Sequence, residues 1–122
     1  MSHEIIDKQL IIEAVRTDEF YSDSFDLFRE FHPELESQLR TAARQHDATR
    51  MLEVTHMLKS RLLFLNCNTL AERVSHLEAQ ARDLTATESV HHDSGCIASV
   101  DELLQQIQSA LTEIHAIIQS NG

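Results

Sequence analysis

Met51-Leu52-Glu53-Val54-Thr55-His56-Met57-Leu58-Lys59-Ser60-Arg61-Leu62-Leu63-Phe64-Leu65 is the stretch whose periodicity decides the fold. Met51, Val54, Thr55, Leu58, Leu62 and Leu65 recur at helical spacing and fall on one face, which predicts the core side of an amphipathic helix. Asp47 follows a polar stretch and is the expected N-cap. Asn66 is the expected stop, because asparagine tolerates the left-handed conformation that closes many helices. At 100° per residue His56 lies about 200° from Leu58 and points away from the core. Thr49, Leu52, Glu53, Lys59, Ser60 and Leu63 share its side.

The same period extends outward in both directions. Ile5, Ile6, Leu10, Ile11 and Ala14 predict a first helix from about Ser2 to Val15, with Ser2 as its N-cap. Thr17 and Asp18 offer caps for a longer second helix with the stripe Tyr21, Ser24, Phe28, Phe31, Leu35, Leu39 and Ala42. Pro33 removes a backbone bond and disfavours helix at His32, so a kink or local break is expected there. Asn68 or Thr69 is the expected cap of a fourth helix, with Leu70, Val74, Leu77, Ala81 and Leu84 facing inward. Thr85 to Ala98 loses the period and reads as a loop. Ser99 then caps a last helix with the stripe Val100, Leu103, Leu104, Ile107, Leu111, Ile114 and Ile118.

Composition agrees. Two glycines and one proline among 122 residues leave little to punctuate a β-rich chain, and no Asn-Gly or Asp-Gly turn separates alternating strands. The expected fold is all-α: an antiparallel four-helix bundle with an additional short N-terminal helix, in one domain spanning residues 1–122. Ten basic residues against twenty acidic ones give a net charge of −10, which argues against a nucleic-acid backbone or an anionic membrane as partner. The longest apolar run, Leu62 to Leu65, is too short to span a bilayer, and Met1 to Lys8 carries no secretory signal. Cys67 and Cys96 read as reduced thiols, so the expected location is the cytoplasm.

The chemistry on the polar side is concentrated at His56. A neutral imidazole is a nucleophile near pH 7, and Lys59, one turn on, can meet the charge of a group bound to it. By itself, a histidine on a polar helix face is usually only solvated, and the chain has 8. His91-His92-Asp93 with Cys96 collects zinc-capable side chains, but without a standard ligand spacing it reads as a polar loop, and no metal is expected. No glycine-rich nucleotide loop occurs, so ATP is not an expected cofactor.

The stretch from Leu27 to Arg82 resembles the histidine-containing phosphotransfer (HPt) domain family. That family's motif is a histidine, any residue, an aliphatic, lysine and glycine, with a second glycine ten positions after the histidine. Here the chain reads His56-Met57-Leu58-Lys59-Ser60, with Asn66 at the tenth position. Phe31-His32-Pro33-Glu34-Leu35 resembles the family's second helix, Gln45-His46-Asp47 the turn before the active helix, and Leu70-Ala71-Glu72 with Leu77 to Arg82 the helix after it. Ser60 and Asn66 replace glycines, Arg61 stands where small residues are usual, and Leu63 is bulkier than the typical alanine or glycine.

The resemblance implies a phosphorelay intermediate, a phosphocarrier with no kinase activity of its own. His56 accepts a phosphoryl group from the phospho-aspartate of a response-regulator receiver domain and passes it to another receiver. Lys59 compensates charge, and Leu52, Glu53, Ser60 and Leu63 form the docking face. The expected partners are receiver domains and a hybrid sensor histidine kinase, with Mg²⁺ brought by the receiver, and the expected state is a monomer. The alternative, to which Arg61 and Leu63 point, is a helical interaction module that binds a receiver or kinase without accepting phosphate.

Overall fold

The computed structural model describes residues 5–87 and 94–121, with side chains described for 5–83 and 99–121. Every element among the described residues is helical: α1 (Lys8–Thr17), α2 (Tyr21–Arg44), α3 (Ala48–Phe64), α4 (Asn68–Thr87) and α5 (Ser94–Asn121). The four long helices each pack on two others, in the order α2, α3, α4, α5 and back to α2; α3 and α4 form the tightest pair, and α1 lies against α5 and α2. No helix among the described residues is long and apolar enough to cross a membrane.

The turns on either side of α3 follow from two residues with positive φ. His46 (φ 54°) and Asn66 (φ 62°) end α2 and α3 in the left-handed conformation. At each end the amide two residues beyond the cap reaches back: Asp47 N to Ala42 O at 2.9 Å, and Cys67 N to Leu62 O at 2.8 Å. These bonds satisfy carbonyls that a helix end otherwise leaves open. Asp47 then accepts a hydrogen bond from Arg50 N at 3.1 Å and caps α3 as its sequence position predicts. Three-residue connections set this tightly fix how α3 lies between α2 and α4.

The core is largely aliphatic, with Tyr21, Phe25 and Phe28 of α2 as aromatic members. Met51, Val54, Leu58, Leu62 and Leu65 of α3 are buried with Leu70, Val74, Leu77 and Ala81 of α4 and Val100, Leu103, Leu104, Ile107, Leu111 and Ile114 of α5; Ile118 is partly buried against them. Tyr21 is buried too, and its hydroxyl donates to Leu65 O at 2.7 Å, tying the start of α2 to the end of α3. Thr55 and His32 are the buried polar side chains among the described residues. Thr55 Oγ1 donates to Met51 O at 2.7 Å, whereas neither ring nitrogen of His32 has a hydrogen-bond partner.

Several boundaries differ from the sequence expectation. α1 begins at Lys8, not Ser2, because Asp7 caps it by accepting from Leu10 N at 3.2 Å; Ser2 lies outside the described residues. Ile6, ahead of the helix, is nonetheless buried. Asp18 does not cap α2. Its amide closes α1 on Ala14 O and its carboxylate accepts from Phe20 N at 2.9 Å, so α2 starts at Tyr21 without a side-chain cap. Pro33 does not interrupt α2, which continues unbroken to Arg44. Proline removes one bond, and buried Phe28, His32, Leu35 and Leu39 on both sides hold the helix in register. Phe31 is exposed, and the regular stripe runs through Phe25, Phe28, His32, Leu35 and Leu39.

Asn68 already belongs to α4, so neither it nor Thr69 stands outside the helix as a cap. Helix extends into both ends of the expected loop from Thr85 to Ala98: α4 runs to Thr87, and α5 starts at Ser94, which places Ser99 inside a helix rather than at its cap; residues 88–93 lie outside the described residues. Extending a formed helix costs little once it is nucleated, so loss of apolar period does not end it. His91, His92, Asp93 and the side chains of Leu84 and Cys96 lie outside the described residues.

Candidate functional site

The outward line of α3 is built by the residues opposite its core stripe. Burying Leu58 and Leu62 forces His56 out: its side chain is 77% exposed, whereas Leu58 is 1% exposed. Ser60 and Glu53 are exposed, Lys59 is half-buried one turn beyond the imidazole, and Leu63 is 47% exposed two turns beyond it. His56, Lys59, Ser60 and Leu63 therefore share one accessible face. Leu52 is half-buried and packs against the core, so it contributes less free surface than its position on the wheel implies. Glu53 is occupied by Arg50, whose guanidinium lies 3.1 Å from its carboxylate.

The two flanks of this face differ in chemistry. Toward α4, the Nδ1 atom of His56 faces Glu78 Oε2 at 3.9 Å. Glu78 is only 13% exposed, and its other carboxylate oxygen lies 3.5 Å from Arg82 Nη2. Toward α2, the surface is apolar. A groove of about 300 Å³ is lined by Leu27, Phe28, Phe31, Arg61 and Phe64. It shares Phe31 and Arg61 with a second of about 200 Å³, which Leu35 and Met57 line together with the polar Glu34 and Gln38. Leu27, Phe31, Met57 and Phe64 are between 40% and 62% exposed, a cluster of large apolar side chains in which Met57 is next to His56 in α3 and Phe64 lies about two turns further on.

No single helix's period marks this groove. Spacings of three and four fit Phe31 between Phe28 and Leu35 as well as they fit His32, but the structure buries His32 and leaves Phe31 exposed. Met57 and Phe64 lie seven residues apart on α3, adjacent to the imidazole's line, and that spacing was the available signal. Glu78 is not marked by sequence either, since a contact between α3 and α4 has no sequence period.

The described residues hold no group of three or more His, Cys, Asp or Glu side chains able to bind a metal ion. Cys67 is free and buried, and burial pushes its thiol up to about 12, so it stays protonated and is a poor nucleophile. His56 is thus the exposed nucleophile on this face, with a cation one turn away, an acceptor behind its inner nitrogen and apolar surface beside it. No protein-family model, curated protein or solved structure matches the chain.

Proposed function

We propose that this chain is a histidine phosphotransfer protein, an antiparallel four-helix bundle with α1 as an accessory helix. His56 Nε2 takes a phosphoryl group from the phospho-aspartate of a receiver domain and yields it to another receiver. The observation that carries this reading is the exposed imidazole of His56 on the outward line of α3, with Lys59 one turn on and an apolar groove alongside. Phosphoryl transfer is mostly positioning and charge compensation, so a carrier needs little more than an accessible nucleophile and a surface that seats its partner. The receiver supplies Mg²⁺ and its coordinating acids, and the carrier has no kinase activity of its own. Cytoplasmic location, a monomeric state and a hybrid sensor kinase as ultimate donor belong to the same reading.

The docking face on this reading is His56, Ser60 and Leu63 with the groove of Leu27, Phe31, Met57 and Phe64. Leu63 also favours a second reading, because a large side chain two turns from His56 and 47% exposed can hold a partner off the imidazole. The chain is then a module that binds a receiver or kinase without accepting phosphate. Incubation with a phosphorylated receiver separates the two. The carrier reading expects an acid-labile, base-stable adduct that His56→Gln abolishes. Labelling that persists in that variant, or that appears on His76 or His115 instead, refutes it.

A further inference from the structure

We infer that Arg61 is a specificity-determining residue: it admits a receiver that presents a carboxylate to the groove between α2 and α3, and rejects one that presents an apolar or basic group there. The inference deepens the phosphotransfer reading and rests on it. Its basis begins with register on α3. At 100° per residue Arg61 lies about 60° from Leu58 and about 40° from Leu65, on the border of the core stripe, and about 140° from His56. That border position leaves the side chain half-buried, with its stem along apolar neighbours. Lys59 stands one turn from the imidazole on the outward line, whereas Arg61 lines both grooves on the α2 side. Arg61 is therefore placed for recognition and not for contact with the phosphoryl group.

The charge pattern says what it recognises. Arg61 is the one cation lining either groove. Among the described residues it forms no salt bridge, whereas Arg40 pairs with Glu36 and Asp101, Arg50 with Glu53, and Arg82 with Glu78. Glu34, the one carboxylate lining the grooves, instead accepts a hydrogen bond from Gln38 Nε2 at 3.3 Å. Small residues are usual at the Arg61 position in the family that the chain resembles, so the cation is a feature of this chain. A partner that covers Leu27, Phe31, Met57 and Phe64 also takes water from the guanidinium. Its N–H donors then need acceptors, and a carboxylate supplies two of them in matching fork geometry. An apolar group leaves the charge buried without a partner, and a lysine or arginine adds repulsion; both count against the wrong receiver. The apolar side chains accept any apolar surface, so the choice between receivers falls to Arg61.

Receiver domains of the source organism, phosphorylated with acetyl phosphate in the presence of Mg²⁺, are each mixed with the intact chain, and the one that loads His56 fastest is the probe. Its affinity is titrated against wild type, Arg61→Lys, Arg61→Gln and Arg61→Glu, with circular dichroism as the check on folding. Arg61→Gln is expected to weaken binding about tenfold and Arg61→Glu about a hundredfold, with Arg61→Lys closest to wild type because it keeps the charge without the fork. The receiver's surface Asp and Glu residues are then replaced singly by Lys. One such variant is expected to bind Arg61→Glu better than it binds wild type, a reversal that a merely structural role of Arg61 does not produce. Decay of His56 loaded with phosphoramidate, followed without receiver, is expected to be equal in wild type and Arg61→Gln; a changed decay overturns the recognition role in favour of a chemical one. Wild-type affinity in Arg61→Gln, or the lack of any carboxylate exchange that reverses the preference, overturns the inference and leaves the carrier reading standing. If no receiver loads His56, the carrier reading falls and the inference falls with it.

Discussion

Replacing His32 by leucine is expected to flatten the stability of this protein toward acid. His32 is 1% exposed, neither ring nitrogen has a hydrogen-bond partner, and the ring stacks on Phe28 with centroids 5.2 Å apart. Glu36 Oε2 lies 3.4 Å from Nε2, but without the alignment of a hydrogen bond, and that oxygen too has no hydrogen-bond partner. Burial lowers the His32 pKa from its ordinary value of 6.5; Glu36 opposes the shift, while Arg40 and Arg61 add to it. The sign follows. Above about pH 6.5 the ring is neutral folded and unfolded, and its contribution is constant. As pH falls below that value the unfolded chain binds a proton that the folded chain refuses. Stability is therefore lost between the unfolded pKa and the lowered folded one, at up to about 1.4 kcal/mol per pH unit.

His32→Leu removes this term and the orphaned nitrogens, at the cost of a ring stack worth about 0.5–1.5 kcal/mol. Those two changes oppose each other near pH 7, where the variant is expected within about 1 kcal/mol of wild type. At pH 5.5 its relative stability should be better by up to about 1.2 kcal/mol, because the proton-linked loss is gone. Urea titrations of both proteins from pH 7.5 to 5 measure this directly, with the m-value as the check that only stability has changed. Groups that do not touch His32 contribute equally to both curves and cancel in the difference. Parallel curves across that range would refute the assignment of His32 as a buried neutral ring.

Tyr21→Phe deletes the 2.7 Å bond to Leu65 O and should cost about 1–2 kcal/mol in the same titration. Burial raises the Tyr21 pKa, so the hydroxyl stays protonated through neutral pH and this loss should not vary between pH 5 and 8. Lys59→Ala should slow phosphoryl transfer or shorten the adduct's lifetime by tenfold or less, since a part-exposed charge contact is weak; an unchanged rate and lifetime would make it an ordinary surface lysine. Leu63→Ala and Phe31→Asp should both weaken receiver binding, the second more strongly because it places a charge in an apolar contact. Wild-type affinity in both would move the docking face elsewhere, and faster transfer in Leu63→Ala would mark Leu63 as an obstruction.

Helical class was legible because one period governs both packing and sequence. The α3 stripe from Met51 to Leu65, its cap at Asp47 and its stop at Asn66 are local features, and the structure has them where the residues indicate. Other boundaries were less legible because residue types compete. Asp7 caps α1, which starts later than the apolar period implies, and His32 displaces Phe31 from the core because register, not side-chain hydropathy, decides which residue faces inward. The exposure of His56 was legible for the same reason that the burial of Leu58 was. The groove and Glu78 were not, since each depends on which neighbour α3 meets on each side, and a single helix's period carries no such information.

On the phosphotransfer reading, the asymmetry of the two flanks bears on how this acidic chain could meet an acidic receiver at His56. At a net charge of −10 the chain gains nothing from broad electrostatic attraction to another acidic protein, and long-range repulsion slows the encounter. Short-range desolvation of apolar surface must then supply the affinity, and Leu27, Phe31, Met57 and Phe64 lie where it can do so without covering His56. Arg61 lines both parts of the groove and offers a single cation to an acidic partner at close range, where screening matters less. On the α4 side the imidazole instead faces the Glu78 carboxylate, at 3.9 Å. On the phosphotransfer reading, binding and chemistry thus occupy opposite sides of one helix face. A charge placed in the groove should alter affinity with little effect on the lifetime of the adduct, while Glu78→Gln should do the reverse. Paired measurement of receiver affinity and adduct lifetime in Phe31→Asp and Glu78→Gln tests that separation, and a variant that moves both quantities together would refute it.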